Sequence, residues 1–199
     1  MSAERARVKA DWFERLYQQD DDPWHFQTSG YEQRKYECTL AALGDRRFTR
    51  GLEVGCSVGV FTALLAERCE HLLAIDVSAR ALALAARRLA DRAAVALSRA
   101  AFPEEMPEGH WDLVLCSEVL YYLDSSALEL AAARLADVLG AGGTVLAVHW
   151  RPATQTYPFT GDGVHDLLLE RLGHWHALDS RTARYRLDRF DGPAREKLP

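Results

Sequence analysis

No apolar run in this chain approaches the ~20 residues that a bilayer-spanning helix needs. Its four cysteines, Cys38, Cys56, Cys69 and Cys116, never stand in a C-x-x-C pair, so neither a zinc site nor a disulfide framework is indicated. An excess of positive charge is also missing. The formal net charge of −5 gives no reason to expect nucleic acid or an anionic membrane as a partner. The N-terminal stretch Met-Ser-Ala-Glu-Arg-Ala-Arg-Val-Lys-Ala is polar and lacks the apolar core of a signal peptide, which makes the cytoplasm the expected compartment. There is no internal repeat, low-complexity segment or linker. The 199 residues suit one domain able to bury a sizeable core, expected over 1–199.

What the chain does contain is a regular alternation of helical and extended patterns. Residues 3–19 carry Val8, Trp12, Phe13, Leu16 and Tyr17 at three-to-four spacing, one face of a helix, which Asp20-Asp21-Asp22-Pro23 ends. That acidic run reads as a solvated turn before Pro rather than a metal site. A second helix is expected from Tyr31 to Leu43, stopped by Gly44. Strands are expected at 51–54, 72–76, 93–97, 111–116 and 144–149. Between them come a helix near 59–68, one capped by Ser78, and one opened by the capping box Ser126-Ala-Leu-Glu129 and ending near Gly140. The stretch from Trp175 to Phe190, alternating in character around Asp179-Ser180, reads as a closing antiparallel pair. The fold class is α/β, a doubly wound, mainly parallel sheet with helices on both faces.

The most informative local feature is Leu52-Glu-Val-Gly-Cys-Ser-Val-Gly59, followed seventeen residues later by Asp76 at the end of the apolar run Leu-Leu-Ala-Ile. Gly55 and Gly59 let the backbone turn tightly between a strand and a helix. An acid about 20 residues further on sits at the tip of the neighbouring strand, placed to accept hydrogen bonds from ribose hydroxyls. Ser57 breaks the G-x-G-x-x-G of dinucleotide sites, and a carboxylate at Glu53 would repel a pyrophosphate. The turn resembles motif I of the class I S-adenosylmethionine (SAM) methyltransferases, whose cofactor carries a sulfonium and an ammonium and no phosphate. Ser57 stands where that motif more often has Gly, a change of little consequence if its φ is negative.

Ligands of such sheets bind at the carboxyl ends of the strands. The residues following the first three strands are Gly55, Cys56 and Gly59, then Asp76 and Val77, then Ala101 and Phe102, with Phe102 placed to pack on an adenine or simply into the core. Ser117, Glu118, Tyr121 and Tyr122 follow the fourth strand, and His149, Trp150 and Arg151 the fifth.

Further segments narrow the resemblance. Asp22-Pro23-Trp24, Thr28-Ser29-Gly30-Tyr31-Glu32-Gln33-Arg34-Lys35-Tyr36 and Thr39-Leu40 resemble the N-terminal signature of NodS-like methyltransferases. So do Glu118-Val-Leu-Tyr-Tyr-Leu123, His149-Trp-Arg151, Tyr157-Pro-Phe-Thr-Gly-Asp162 and Val164-His165. The family implies a seven-stranded core over 46–199 beneath an N-terminal helical lid over 1–45. It also implies SAM as cofactor, S-adenosylhomocysteine (SAH) as product and a saccharide or small-molecule acceptor, in NodS itself the amino sugar of a deacetylated chitooligosaccharide. In that frame Trp24 or Tyr31 closes over the cofactor and Arg34 pairs with its methionine carboxylate. Glu118 and His149, with His149 slightly preferred, accept the proton of an amine. Tyr121, Tyr122 and Trp150 offer flat faces to a sugar, and Arg151 and His165 grip its hydroxyls. The acceptor pocket is expected between the tips of the fourth and fifth strands, roofed by the N-terminal helical region.

Two short segments match the patterns of other chemistries. Gly55-Cys56-Ser57-Val58-Gly59 matches the G-x-S-x-G nucleophile elbow of α/β-hydrolases, but no oxyanion-hole stretch precedes it and too few strands come before. His174-Trp-His176 could suggest a metal, yet no Cys or further His stands at ligand spacing.

Overall fold

The structure, a computed structural model, describes residues 6–154 and 156–194. Seven strands are ordered β3-β2-β1-β4-β5-β7-β6 in one mostly parallel sheet with flanking helices. The chain divides into two compact units. One is Lys9–Ala101, and the other takes in the remaining described residues, 6–8, 102–154 and 156–194.

The first unit begins with α1 (Ala10–Gln19) and α2 (Gly30–Ala41). Ser29 starts α2 because its hydroxyl accepts from Glu32 N–H, filling one of the orphan donors of a helix N-terminus. Then come β1 (Phe48–Val54), α3 (Val60–Leu65), β2 (Cys69–Asp76), α4 (Ala79–Arg88) and β3 (Val95–Arg99). Parallel pairing runs from Phe48↔Cys69 to Val54↔Ile75 and from Leu72↔Val95 to Asp76↔Arg99, which brings the ends of β1 and β2 level. Tyr36 of α2 stacks on Phe61 of α3 with centroids 4.8 Å apart. Tyr17 of α1 is buried with Val58 and Ala81 in a small cluster that Trp24, Val60 and Leu84 complete.

The second unit holds β4 (Leu113–Ser117), α5 (Ser125–Gly140), β5 (Thr144–Trp150), α6 (Gly161–Leu172), β6 (His176–Arg181) and β7 (Tyr185–Asp191). β4 and β5 are continuous apolar runs, as expected of parallel strands covered on both faces. β7 lies antiparallel on β5, from Thr144↔Asp191 to Trp150↔Tyr185, and β6 lies antiparallel on β7.

Several sequence expectations need correction. The first helix starts at Ala10, not at residue 3, and residues 3–5 lie outside the described residues. Val8 N–H is bonded to Tyr122 O, and the Arg7 guanidinium holds Phe102 O and the Glu104 carboxylate, so Arg7 and Val8 are anchored in the second unit instead of coiling. The cap of α5 is Asp124, whose carboxylate accepts from Ala127 N–H, rather than Ser126. Asp179 and Ser180 sit inside β6, and the hairpin turns after Arg181. α6 has no counterpart in the sequence reading, because Gly161 and Gly163 conceal its start. Gly161 is required there, since a Cβ would overlap the Trp150 carbonyl oxygen.

Candidate functional site

The turn after β1 is held from below by β2. Gly55 N–H and Cys56 N–H both donate to Ile75 O, at 2.8 and 3.0 Å. Ser57 N–H donates to Asp76 Oδ2 and Ser78 N–H to Asp76 Oδ1, each at 2.9 Å. Burial pushes the Asp76 carboxyl up, and these amide bonds pull it back down. An ionised carboxylate offers about four lone-pair sites, so Asp76 keeps capacity for a pair of ligand hydroxyls. Gly59 has φ +76°, and a Cβ there would come within 3.0 Å of Leu89 and 3.1 Å of Ala85. Its small size therefore serves the close packing of α4 on the turn. Cys56 is buried, and burial pushes its thiol well up, so it is a packing residue.

Ser57 has φ +52°, contrary to the negative φ that would make its side chain inconsequential. This is the left-handed region, where Gly carries no steric cost and Ser does. The Ser57 hydroxyl accepts from Tyr17 Oη at 2.5 Å. Burial drives the Tyr17 phenol well above its ordinary pKa, so this partner stays protonated and is no base for a serine nucleophile. The hydrolase reading has no support in this geometry.

Glu53 is buried, and its Oε2 has no hydrogen-bond partner. Burial pushes its carboxyl up to about 8, against the Thr62 hydroxyl, which lowers it, and with the Asp76 charge adding to the rise. A buried carboxyl with an open oxygen is costly unless a cation or donor completes it. Asp76 and Glu53 together suit a ligand with vicinal hydroxyls and a positive charge.

α1 and the segment after it attach to α4. Ser78 Oγ–H and Arg80 N–H donate to Glu14 Oε2, Arg80 pairs with Asp21, and Arg88 donates to Val58 O and Gln27. Trp24 is half-buried, stacked on Phe26 and edge-on to Tyr17. Arg34 is exposed, whereas its neighbour Lys35 is buried, 2.7 Å from Glu32 and 5.5 Å from the Tyr31 ring centre. Val77 and Ala101 are half-buried, and Val77 O accepts from Arg99.

In the second unit, Ser117 ends β4 and Glu118 follows at φ +57°. The Glu118 Oε2 accepts from Tyr121 Oη at 2.6 Å and from Trp150 N–H at 2.8 Å, so its carboxylate is clamped. Tyr121 and Tyr122 are buried, and burial drives both phenols well up. Tyr157 stacks on Tyr121 at 4.8 Å and meets Tyr122 edge-on at 4.6 Å. Phe102 is buried in this unit's core.

His149 and His165 are placed differently from the sequence expectation. Both are fully buried. His149 Nε2 accepts from Leu120 N–H at 3.1 Å, and its Nδ1 faces His165 Nε2 at 3.0 Å. His165 Nδ1 faces Asp188 Oδ2 at 2.5 Å. With both nitrogens engaged, His149 has no lone pair left for an acceptor amine, and His165 none for acceptor hydroxyls. Arg151 is held by Asp162 at 2.9 Å and by Thr182 O, and not left to reach outward.

Sequence reasoning missed Tyr17, Glu14, Tyr157 and Asp188. Tyr17 sat in a helix's apolar stripe and looked like core. Arg186 and Asp188 are fully buried and paired with each other, but β7 is rich in charge and its sequence does not say which of its charges face inward. Among the described residues no group of three His, Cys, Asp or Glu is arranged to hold a metal, and no helix is long and apolar enough to cross a membrane.

The family of Nodulation protein S (NodS) matches residues 8–154, most of the chain. The chain belongs to the NodS family. Nodulation protein S of Sinorhizobium fredii is 34% identical over 125 residues, 62% of this chain and 58% of that protein. An uncharacterized methyltransferase of Mycobacterium bovis is 27% identical over 128 residues, 64% of this chain and 61% of that protein. The matches thus span between half and two thirds of these relatives' lengths. Among solved structures, a Pseudomonas syringae protein described as a candidate methyltransferase superposes with TM-score 0.72 at 36% identity, covering 82% of this chain and 99% of that one. The N-methyltransferase NodS of Bradyrhizobium japonicum, solved with SAH, superposes with TM-score 0.76 at 22% identity, covering 94% and 100%, and shares the fold.

Proposed function

We propose that this NodS-family chain transfers a methyl group from SAM to an amine nitrogen, with amino sugars as the acceptor class. The observation that carries the reading is the Asp76 carboxylate, set by Ser57 N–H and Ser78 N–H at the end of β2 beside Glu53, whose Oε2 has no hydrogen-bond partner. Asp76 would hold the ribose hydroxyls, and Glu53 would answer the positive charge of the methionine moiety. Gly55, Cys56, Gly59, Val77 and Ala101 would shape the cleft, with Trp24, Tyr31 and Arg34 at its mouth. SAM, when bound, supplies a methyl on a positively charged sulfur.

The rest falls to the chain. Alignment and exclusion of water give most of the acceleration of an in-line transfer. An amine must reach the methyl unprotonated, so a fixed proton acceptor helps. Glu118 is that group, because its carboxylate is held by Tyr121 Oη and Trp150 N–H, while His149 has both nitrogens engaged. Tyr157 and Trp150, both half-buried, offer ring faces suited to the apolar face of a sugar, with the buried Tyr121 and Tyr122 packed behind Tyr157.

The test is a methyl-release assay across amino sugars, small amines and alcohols, alongside calorimetric titration with SAM. Turnover on amino sugars and not on alcohols is expected. Turnover on alcohols alone would make the chain an O-methyltransferase, and SAM binding without turnover on any acceptor would make it a non-catalytic module.

A further inference from the structure

The buried chain from Leu120 N–H through His149 and His165 to Asp188 admits one arrangement of protons. The Asp188 carboxylate accepts from His165 Nδ1–H, from Arg186 Nε–H at 2.9 Å and from His176 Nε2–H at 2.9 Å. His165 then presents a bare Nε2, which accepts from His149 Nδ1–H, and His149 presents a bare Nε2 to Leu120 N–H. Both rings are neutral and both carry their proton on Nδ1.

One more proton cannot be accommodated. Placed on His165 Nε2, it points at His149 Nδ1, whose own proton must move to Nε2 and meet Leu120 N–H head on. Placed on His149 Nε2, it faces the same amide directly. Either way two donors oppose each other and the bond to Leu120 is lost.

We infer that His149 and His165 are positioning residues: oriented by Asp188, they grip Leu120 N–H and so fix the turn from Glu118 to Tyr122, and they let it go when the pair takes up a proton. The role given to this turn rests on the reading of Glu118 as the proton acceptor. The turn needs such a grip because Glu118 sits at φ +57°, a conformation that persists only where its surroundings enforce it.

The charged and titratable groups around the pair come from every neighbouring element. They are Asp188 and Arg186 of β7, Asp162 and Asp166 of α6, His176 of β6, Arg151 of β5, and Glu118 and Tyr121 of the turn itself. Burial holds the His165 imidazole below its ordinary pKa, and the Arg186 charge adds to this, while Asp188 and Asp162 work against it. The neutral state is therefore the resting one, and acidification is what releases the turn.

Ring nitrogen-15 NMR and amide exchange on the full chain test this. At about pH 7.5 both rings should be neutral, with the proton on Nδ1, and the Leu120 amide should be protected. On acidification the ring shifts and the Leu120 protection should change together, and methyl transfer should fall while SAM affinity stays within about two-fold. His165→Gln offers His149 Nδ1–H a carbonyl oxygen and should keep Leu120 protected, whereas His165→Leu should not. A His149 proton on Nε2 at neutral pH, or Leu120 exchange indifferent to the histidine titration, overturns the inference. The wild-type titration decides even where a variant fails to fold. Loss of turnover on every acceptor, with the ring and exchange results intact, would count against the proposed reaction and leave the grip on Leu120 standing.

Discussion

Tyr17 Oη donates to Ser57 Oγ across 2.5 Å, from the last turn of α1 to the one residue of the β1–α3 turn that is not Gly and has φ above zero. The same Ser57 gives its N–H to Asp76. The phenol thus acts on the acid at one remove, by steadying a strained residue whose amide aims the carboxylate. In a SAM site, α1 would be part of the cofactor machinery and not only a cover.

Tyr17→Phe should therefore weaken SAM binding by about 1 kcal/mol, roughly five-fold in Kd. Ser57→Gly placed on top should recover most of the loss, because Gly takes φ +52° without strain. Ser57→Ala should fare worse than Gly, since it keeps the strain and drops the hydroxyl. Calorimetry on the three variants checks this, and an unaltered Kd in Tyr17→Phe would reduce α1 to a covering helix.

Glu53→Gln should separate stability from binding. The Glu53 carboxyl titrates at about 8 in the fold against an ordinary value of 4.5. Between those values the folded chain keeps a proton that the unfolded chain releases, so Glu53 erodes stability as pH rises through this window. The Gln variant should melt higher than the parent at about pH 8 and match it at about pH 4. It should also bind SAM about ten-fold more weakly, a loss of about 1.4 kcal/mol, and lose the proton that the parent releases on binding near neutrality. Titrations in two buffers of different ionisation heat read that proton, and equal release from both proteins would remove Glu53 from the cofactor site.

Asp76→Ala should do two kinds of damage. It removes ribose contacts and also orphans Ser57 N–H and Ser78 N–H, a cost of about 1–3 kcal/mol for each group left buried and unpaired. Both SAM affinity and thermal stability should drop. Asp76→Asn, which retains one acceptor oxygen, should keep more of the stability than of the affinity. If neither variant alters affinity, the ribose lies elsewhere.

Glu118→Gln should lower methyl transfer far more than SAM affinity, with the defect shrinking as pH rises and more amine is free. Tyr121→Phe, which frees one of the carboxylate's two clamps, should give a smaller loss of the same kind. Turnover within a few-fold of the parent in both variants, on a verified acceptor, would mean that no proton acceptor is needed or that it is another residue.

The parallel sheet was legible because its strands are apolar runs broken by Gly, Ser and Asp at helix starts, all local signals. Asp76 was legible because its distance from Gly59 is fixed by one helix and one strand. The fates of His149 and Arg151 were not, although both stand at a strand tip. Their partners His165, Asp188 and Asp162 come from α6 and β7, and α6 was itself hidden by two glycines in its first turn. Strand-tip position says where a residue is, and only the packing of later elements says which way its lone pairs are committed. Ser57 shows the same limit at shorter range, since the sign of one dihedral angle decided whether its side chain mattered.

Ser57 and Glu118 each hold a left-handed φ just past the end of a strand. A library of this gene selected only for heat tolerance would treat the two codons differently. Glycine at 57 relieves strain and leaves the amide that serves Asp76, giving up only the Tyr17 contact. Glycine at 118 relieves the same kind of strain but deletes the carboxylate that receives Tyr121 Oη and Trp150 N–H, and donors left buried and unpaired cost more than the strain returns. Survivors should therefore carry the first change and not the second, which would show that one strain is merely tolerated and the other is locked in by its own hydrogen bonds.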